Sequence, residues 1–235
     1  MKIVKVILIV ALLSSPLLGV SQVHETFSSS SLTRWTPVSG TWKVINGRLT
    51  QTDTRETMAM ITIPVNQDGV MLYEFDLKYV RGGEDDYAGF GIHICTNNPT
   101  SKRSWGNGRS LLGWITWDPK QYGSPGAFIQ VYKSTGITSM GLNTRIFPGS
   151  DPLKYGGVLP VRRDYLKYEY LNYTVPVKFQ INTRTGRGRF YDPFNPDRYY
   201  YSFDLGAPIR PGGYLTFRMN SISLSIDNVR VTQLD

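Results

Sequence analysis

Met71-Leu72-Tyr73-Glu74-Phe75-Asp76-Leu77-Lys78-Tyr79 decides the fold class. Met71, Tyr73, Phe75, Leu77 and Tyr79 fall on one side of an extended chain, while Glu74, Asp76 and Lys78 fall on the other. Successive side chains of a strand alternate between faces, so this stretch predicts a strand with one face in a core and one toward water. Ala88, Phe90, Ile92 and Ile94 repeat the pattern after the acidic turn between Gly82 and Asp86. Upstream, Thr41-Trp42-Lys43-Val44-Ile45, then Asn46-Gly47, then Arg48-Leu49-Thr50 predicts a tight hairpin, because Asn-Gly supplies the positive φ angles of a type I′ turn. Later strands are expected near Leu112–Trp117, Ala127–Tyr132, Val175–Asn182, Gly188–Tyr191, Tyr199–Asp204, Tyr214–Met219 and Ile222–Val231. No window carries a helical apolar stripe. Short strands with glycine, proline and asparagine at the joints predict an all-β protein, a single antiparallel β-sandwich with long loops.

The start of the chain has a different character. Lys2 and Lys5 precede or interrupt an apolar run from Ile3 to Leu13, Pro16 follows it, and Gly19-Val20-Ser21 offers small residues where a signal peptidase reads. Residues 1–21 are therefore expected to be a cleaved signal peptide, the run being shorter than the roughly 20 apolar residues of a membrane anchor. Residues 22–235 are expected to form one domain with a long aromatic and basic insertion around 141–174. The chain has one cysteine, Cys95, so no intramolecular disulfide can form, and packing must hold the core. A leader without disulfides places the expected location outside the cytoplasm, secreted or periplasmic, with a bacterial envelope favoured. The formal net charge of +8 loses Lys2 and Lys5 with the leader, leaving +6. Outside the cytoplasm such a charge points to an acidic polymer or surface, not to nucleic acid.

Two stretches carry a family likeness. Phe27, Trp35 and Gly40-Thr41-Trp42-Lys43-Val44-Ile45-Asn46-Gly47-Arg48-Leu49 resemble the opening of the concanavalin A-like lectin/glucanase sandwiches, laminin-G-like modules among them. Ser225-Ile226-Asp227-Asn228-Val229-Arg230-Val231 is similar to their last strand, which returns to pair near the first. The resemblance implies a jelly-roll sandwich and leaves function open, since this fold carries lectins, hydrolases and structural proteins. It also implies a structural calcium ion shared by an acidic residue near the first strand and an aspartate of the last, here Glu25 and Asp227. No other cofactor is expected.

The glucanase branch places three acidic residues at alternate positions of one strand, so that one is nucleophile and another acid/base. This chain begins that pattern with Glu74 and Asp76 and then has Lys78, which supplies no carboxyl group. His24 and His93 are the only histidines, and no Gly-x-Ser-x-Gly motif accompanies them. The expectation is a non-catalytic binding module. Aromatic rings stack on sugar faces while polar side chains bond the hydroxyls, so Trp105, Arg109, Trp114 and His93 are the candidate glycan contacts. Trp105 stands in a polar loop, and Trp114 and Trp117 fall on opposite faces of one strand. A second cluster, Arg162, Arg163, Tyr165, Tyr168 and Tyr170 with Tyr199 and Tyr200, is the candidate protein interface, since tyrosine and arginine are enriched there. The alternative it carries is a structural subunit docking on other envelope or filament proteins, such as a surface layer or a periplasmic flagellar sheath.

Overall fold

A computed structural model of the chain describes residues 19–83, 88–99, 108–118, 126–136, 140–146, 174–192, 195–210 and 212–235. The described residues form fifteen strands in two antiparallel sheets. In chain order they are β1 (Val20–Glu25), β2 (Thr36–Ser39), β3 (Trp42–Ile45), β4 (Arg48–Gln51), β5 (Ala59–Pro64), β6 (Val70–Gly82), β7 (Gly89–Thr96), β8 (Arg109–Asp118), β9 (Gly126–Thr135), β10 (Met140–Ile146), β11 (Thr174–Asn182), β12 (Arg187–Asp192), β13 (Asn195–Asp204), β14 (Tyr214–Asn220) and β15 (Ile222–Gln233). The first sheet runs β13-β12-β11-β6-β15-β4-β3, with β1 also on β15, and the second runs β10-β9-β8-β7-β14-β5-β2. The all-β sandwich expected from the sequence is what the chain forms.

The alternating stretch becomes β6, the centre of the first sheet between β11 and β15. Met71, Tyr73, Phe75 and Leu77 are buried, while Glu74 faces outward and its carboxylate meets Lys178 Nζ of β11 at 3.7 Å. This is a solvated strand face with a cross-strand ion pair. The Asn46-Gly47 turn has both φ angles positive, at 51° and 69°, and joins β3 to β4 with Ile45 opposite Arg48. The last strand pairs with the first, Val231 opposite Val23, as the family likeness implies.

The inner faces pack aromatic rings in two groups. Phe217 of β14 stacks on Trp35 at 5.3 Å and meets Phe75 of the opposite sheet edge-on at 5.2 Å. Tyr73, Phe179, Phe190 and Phe203 form a ladder across β6, β11, β12 and β13, with centroids 4.6, 5.4 and 6.0 Å apart. Each fully buried ring among them contributes on the order of 1.5–3 kcal/mol, which fits a core with no disulfide to support it.

Two boundaries differ from the sequence reading. β1 starts at Val20, with Val20 and Ser21 paired to Gln233 and Thr232, so a leader ending at residue 21 takes the first two residues of that strand. The segment read as an insertion from residue 141 begins as strand, since Met140–Ile146 pairs with β9. β5 also went unread. Its residues Ala59 to Ile63 are all buried, and a strand covered on both faces shows no alternation.

Candidate functional site

His93 and Trp114 lie on the outer face of the second sheet, opposite the inner residues Ile92 and Leu111. This face is buried all the same. His93 is 0% exposed and Trp114 9%, alongside Met60, Thr62, Leu112, Thr216 and Arg218. Gly91 makes room for the indole, since a Cβ there would stand 2.7 Å from Trp114 Cε3. The Arg218 guanidinium lies over the Trp114 ring at 5.4 Å and donates from Nε to Asn220 Oδ1 at 3.0 Å. Burial pushes the Arg218 pKa down to about 10. His93 Nδ1 stands 3.0 Å from Ser110 Oγ, and burial, with Arg218 nearby, holds its imidazole well below the ordinary value and hence neutral. The expectation that both residues surround an open face is corrected by this burial: they support the sheet.

Arg109 is placed differently. It stands exposed at the start of β8 and lines a cleft of about 320 Å³ at one end of the sandwich. One wall is the end of β8 and β9, with Arg109, Ser110, Leu111, Lys133 and Ser134. The other is the crossover from β13 to β14, with Leu205, Pro208, Ile209 and Arg210. The crossover is pinned from below, because Leu205 N–H donates to Gly186 O at 3.1 Å and Ile209 N–H to Thr183 O at 2.7 Å. The strand wall is pinned too: Arg109 N–H donates to Asn97 Oδ1 at 2.6 Å, and Ser134 Oγ donates to Gly108 O at 2.6 Å. The cleft is thus preformed, at the lower end of the roughly 300–1,000 Å³ of small-molecule sites. Lys133 and Arg210 were not singled out in the sequence, and nothing local marks them, since only the fold brings residues 109, 133 and 210 together.

Cys95 closes the inner end of this cleft. It sits at a bulge of β7 with φ of 53°, where its N–H donates to Gln67 Oε1 at 3.2 Å and its Sγ contacts Gln67 O at 3.8 Å. Gln67 is itself buried, accepting from Tyr73 Oη at 2.8 Å and donating to Tyr214 O at 2.8 Å. Burial pushes the Cys95 thiol up to about 12, so it behaves as a small apolar group.

The remaining candidates are scattered. Trp105, Arg162, Arg163, Tyr165, Tyr168 and Tyr170 lie outside the described residues. Tyr199 and Tyr200 fall in β13, the edge strand of the first sheet. Glu25 accepts from Phe27 N–H at 3.0 Å, while Asp227 accepts from Asn228 N–H at 2.8 Å and meets Arg48 Nη1 at 3.4 Å. Each carboxylate thus accepts from a protein donor, and among the described residues no three His, Cys, Asp or Glu side chains gather in a metal-holding group. The expected calcium pair gains no support from this arrangement. The described lining of the cleft includes no carboxylate, so the paired acids of glycoside hydrolysis are not supplied by it.

Solved structures place the architecture. A carbohydrate-binding module, CBM66 of Bacillus subtilis, superposes with a TM-score of 0.55 at 14% identity, over 87% of this chain and 99% of that one. The carbohydrate recognition domain of Emp46p in its metal-free form matches with 0.57 at 12%, over 91% and 95%. A Bacillus subtilis protein of unknown function with a galectin-like fold matches with 0.59 at 12%, over 92% and 96%. The fold is therefore a jelly-roll β-sandwich of the kind these modules have. A putative glycosyl hydrolase and a sialidase share it as well, so the likeness does not by itself separate binding from hydrolysis. No family model matches the chain, and no curated protein matches it in sequence.

Proposed function

We propose that this chain is a non-catalytic carbohydrate-binding module, exported through its N-terminal leader, that takes a glycan in the cleft between Arg109, Lys133 and Arg210. The observation that carries the reading is the cleft itself. It is a preformed cavity at one end of a lectin-type sandwich, with an apolar floor, donors on its rim and no carboxylate among its described lining residues. Arg109 is the proposed contact residue on its rim. Trp105, four residues before it in the chain, is the proposed stacking ring. His93 acts behind the wall as a positioning residue through Ser110. The likeness to carbohydrate-binding modules supports the same reading.

A glycan array probed with the purified protein, followed by mass spectrometry of the bound glycans after prolonged incubation, tests it. The expected result is retention of a restricted glycan class with no cleavage product. A blank array contradicts glycan binding, and shortened glycans contradict the non-catalytic assignment.

A further inference from the structure

Three cations face one cleft and none makes an ion pair with a described residue. Arg109, Lys133 and Arg210 all line the cavity and are all exposed. Elsewhere the described arginines and lysines are commonly engaged. Arg184 holds Asp68 and Asp235, Arg187 holds Asp204, Arg48 holds Asp227 and Lys178 holds Glu74. A wider groove of about 650 Å³ on the outer face of β11, β12 and β13 makes the contrast sharper. Its two arginines are occupied, Arg187 by Asp204 at 2.9 Å and Arg189 by Gln180 Oε1 at 2.8 Å. Like charges gathered beside an apolar floor repel one another, and they raise the local concentration of anions.

We infer that the cleft selects a glycan bearing a negative group, a carboxylate or a sulfate ester, held by Arg109, Lys133 and Arg210 while the sugar ring rests on Leu111, Leu205, Pro208 and Ile209. This rests on the glycan-binding reading above and adds the ligand class. An arginine fork meets a carboxylate or sulfate with two parallel N–H donors, and a lysine adds a compact charge. The crossover that carries Arg210 is tied to Thr183 and Gly186, so one of the three cations rides on a fixed wall. A neutral sugar would leave the three charges with no counter-charge among the described residues.

The test uses matched pairs: a polyuronate oligosaccharide with its carboxyl-reduced form, and a sulfated glycan with its desulfated form. Each is titrated against the purified protein and against Arg109→Gln, Lys133→Gln and Arg210→Gln. The expected result is that in one pair the charged member binds at least about 100-fold more tightly than its neutral partner. Each substitution then weakens it about tenfold, with thermal stability unchanged, and added salt weakens it further. The pair that responds tells carboxylate from sulfate. Neutral members binding as well as charged ones, or variants that keep full affinity, overturn the inference and leave the glycan reading standing. No binding by either pair, together with a blank array of neutral glycans, overturns both.

Discussion

The guanidinium of Arg218 lies 5.4 Å from the centre of the Trp114 ring, and both side chains are buried on the outer face of the second sheet. An indole in that position is a packing element, with its face covered by a cation and its edge filling the space left by Gly91. Trp114→Ala is expected to cost about 3–5 kcal/mol in urea unfolding, the range for deleting a buried aromatic ring. Trp114→Phe is expected to recover most of that loss. A Trp114→Ala protein of unchanged stability with lost glycan binding would return the indole to the ligand site.

His93 titrates against the fold. Its folded pKa is held well below the ordinary 6.5 by burial and by Arg218, so the unfolded chain takes up a proton that the folded one refuses. The stability it contributes is complete above the unfolded value and is lost as the pH falls below it toward the depressed folded value. The slope is at most about 1.4 kcal/mol per pH unit. Unfolding free energies measured between pH 7.5 and 5 are expected to fall in the native protein and to fall less steeply in His93→Gln. Parallel curves would contradict the buried neutral imidazole.

Cys95 is expected to be inert while the fold holds. With its thiol pushed up to about 12 and 1% exposed, almost none is thiolate at neutral pH. A thiol reagent should modify it at the rate of unfolding in buffer and at once in denaturant. Rapid modification of the native protein would show that the cleft opens down to its inner end.

Gly212 is where the crossover passes β7. A Cβ there would collide with the Cys95 carbonyl, whereas a Cβ on Gly213 would meet nothing within 4 Å. Gly212→Ala is expected to lose about 1–3 kcal/mol, the range for overpacking, and to weaken glycan binding by shifting the wall that carries Arg210. Gly213→Ala should do neither. Equal effects of the two substitutions on thermal unfolding would contradict the close approach.

Elements with one wet face were legible in the sequence. β6 alternates because Glu74, Asp76 and Lys78 look outward, and Asn46-Gly47 announces its hairpin through backbone angles alone. β7 looked alternating as well, with His93 assigned to an open face. All eight of its residues are buried, and periodicity tells which face a residue is on without telling what covers that face. β5 and β10 gave no signal. Arg109 was singled out because it closes a polar stretch of sequence that contains Trp105. Lys133 and Arg210 were not, because their partnership is made by the crossover from one sheet to the other and leaves no trace in local spacing.

The most direct test of the account is calorimetric titration of the array-selected glycan into the purified protein and into Arg109→Ala, with thermal unfolding of both. Arg109 is exposed, so the substitution is expected to change stability by no more than about 0.5 kcal/mol. The expected result is a binding isotherm that is lost, or weakened at least about tenfold, in a variant that unfolds at the same temperature. Equal affinity in the two proteins would place the glycan elsewhere and contradict the cleft as the binding site.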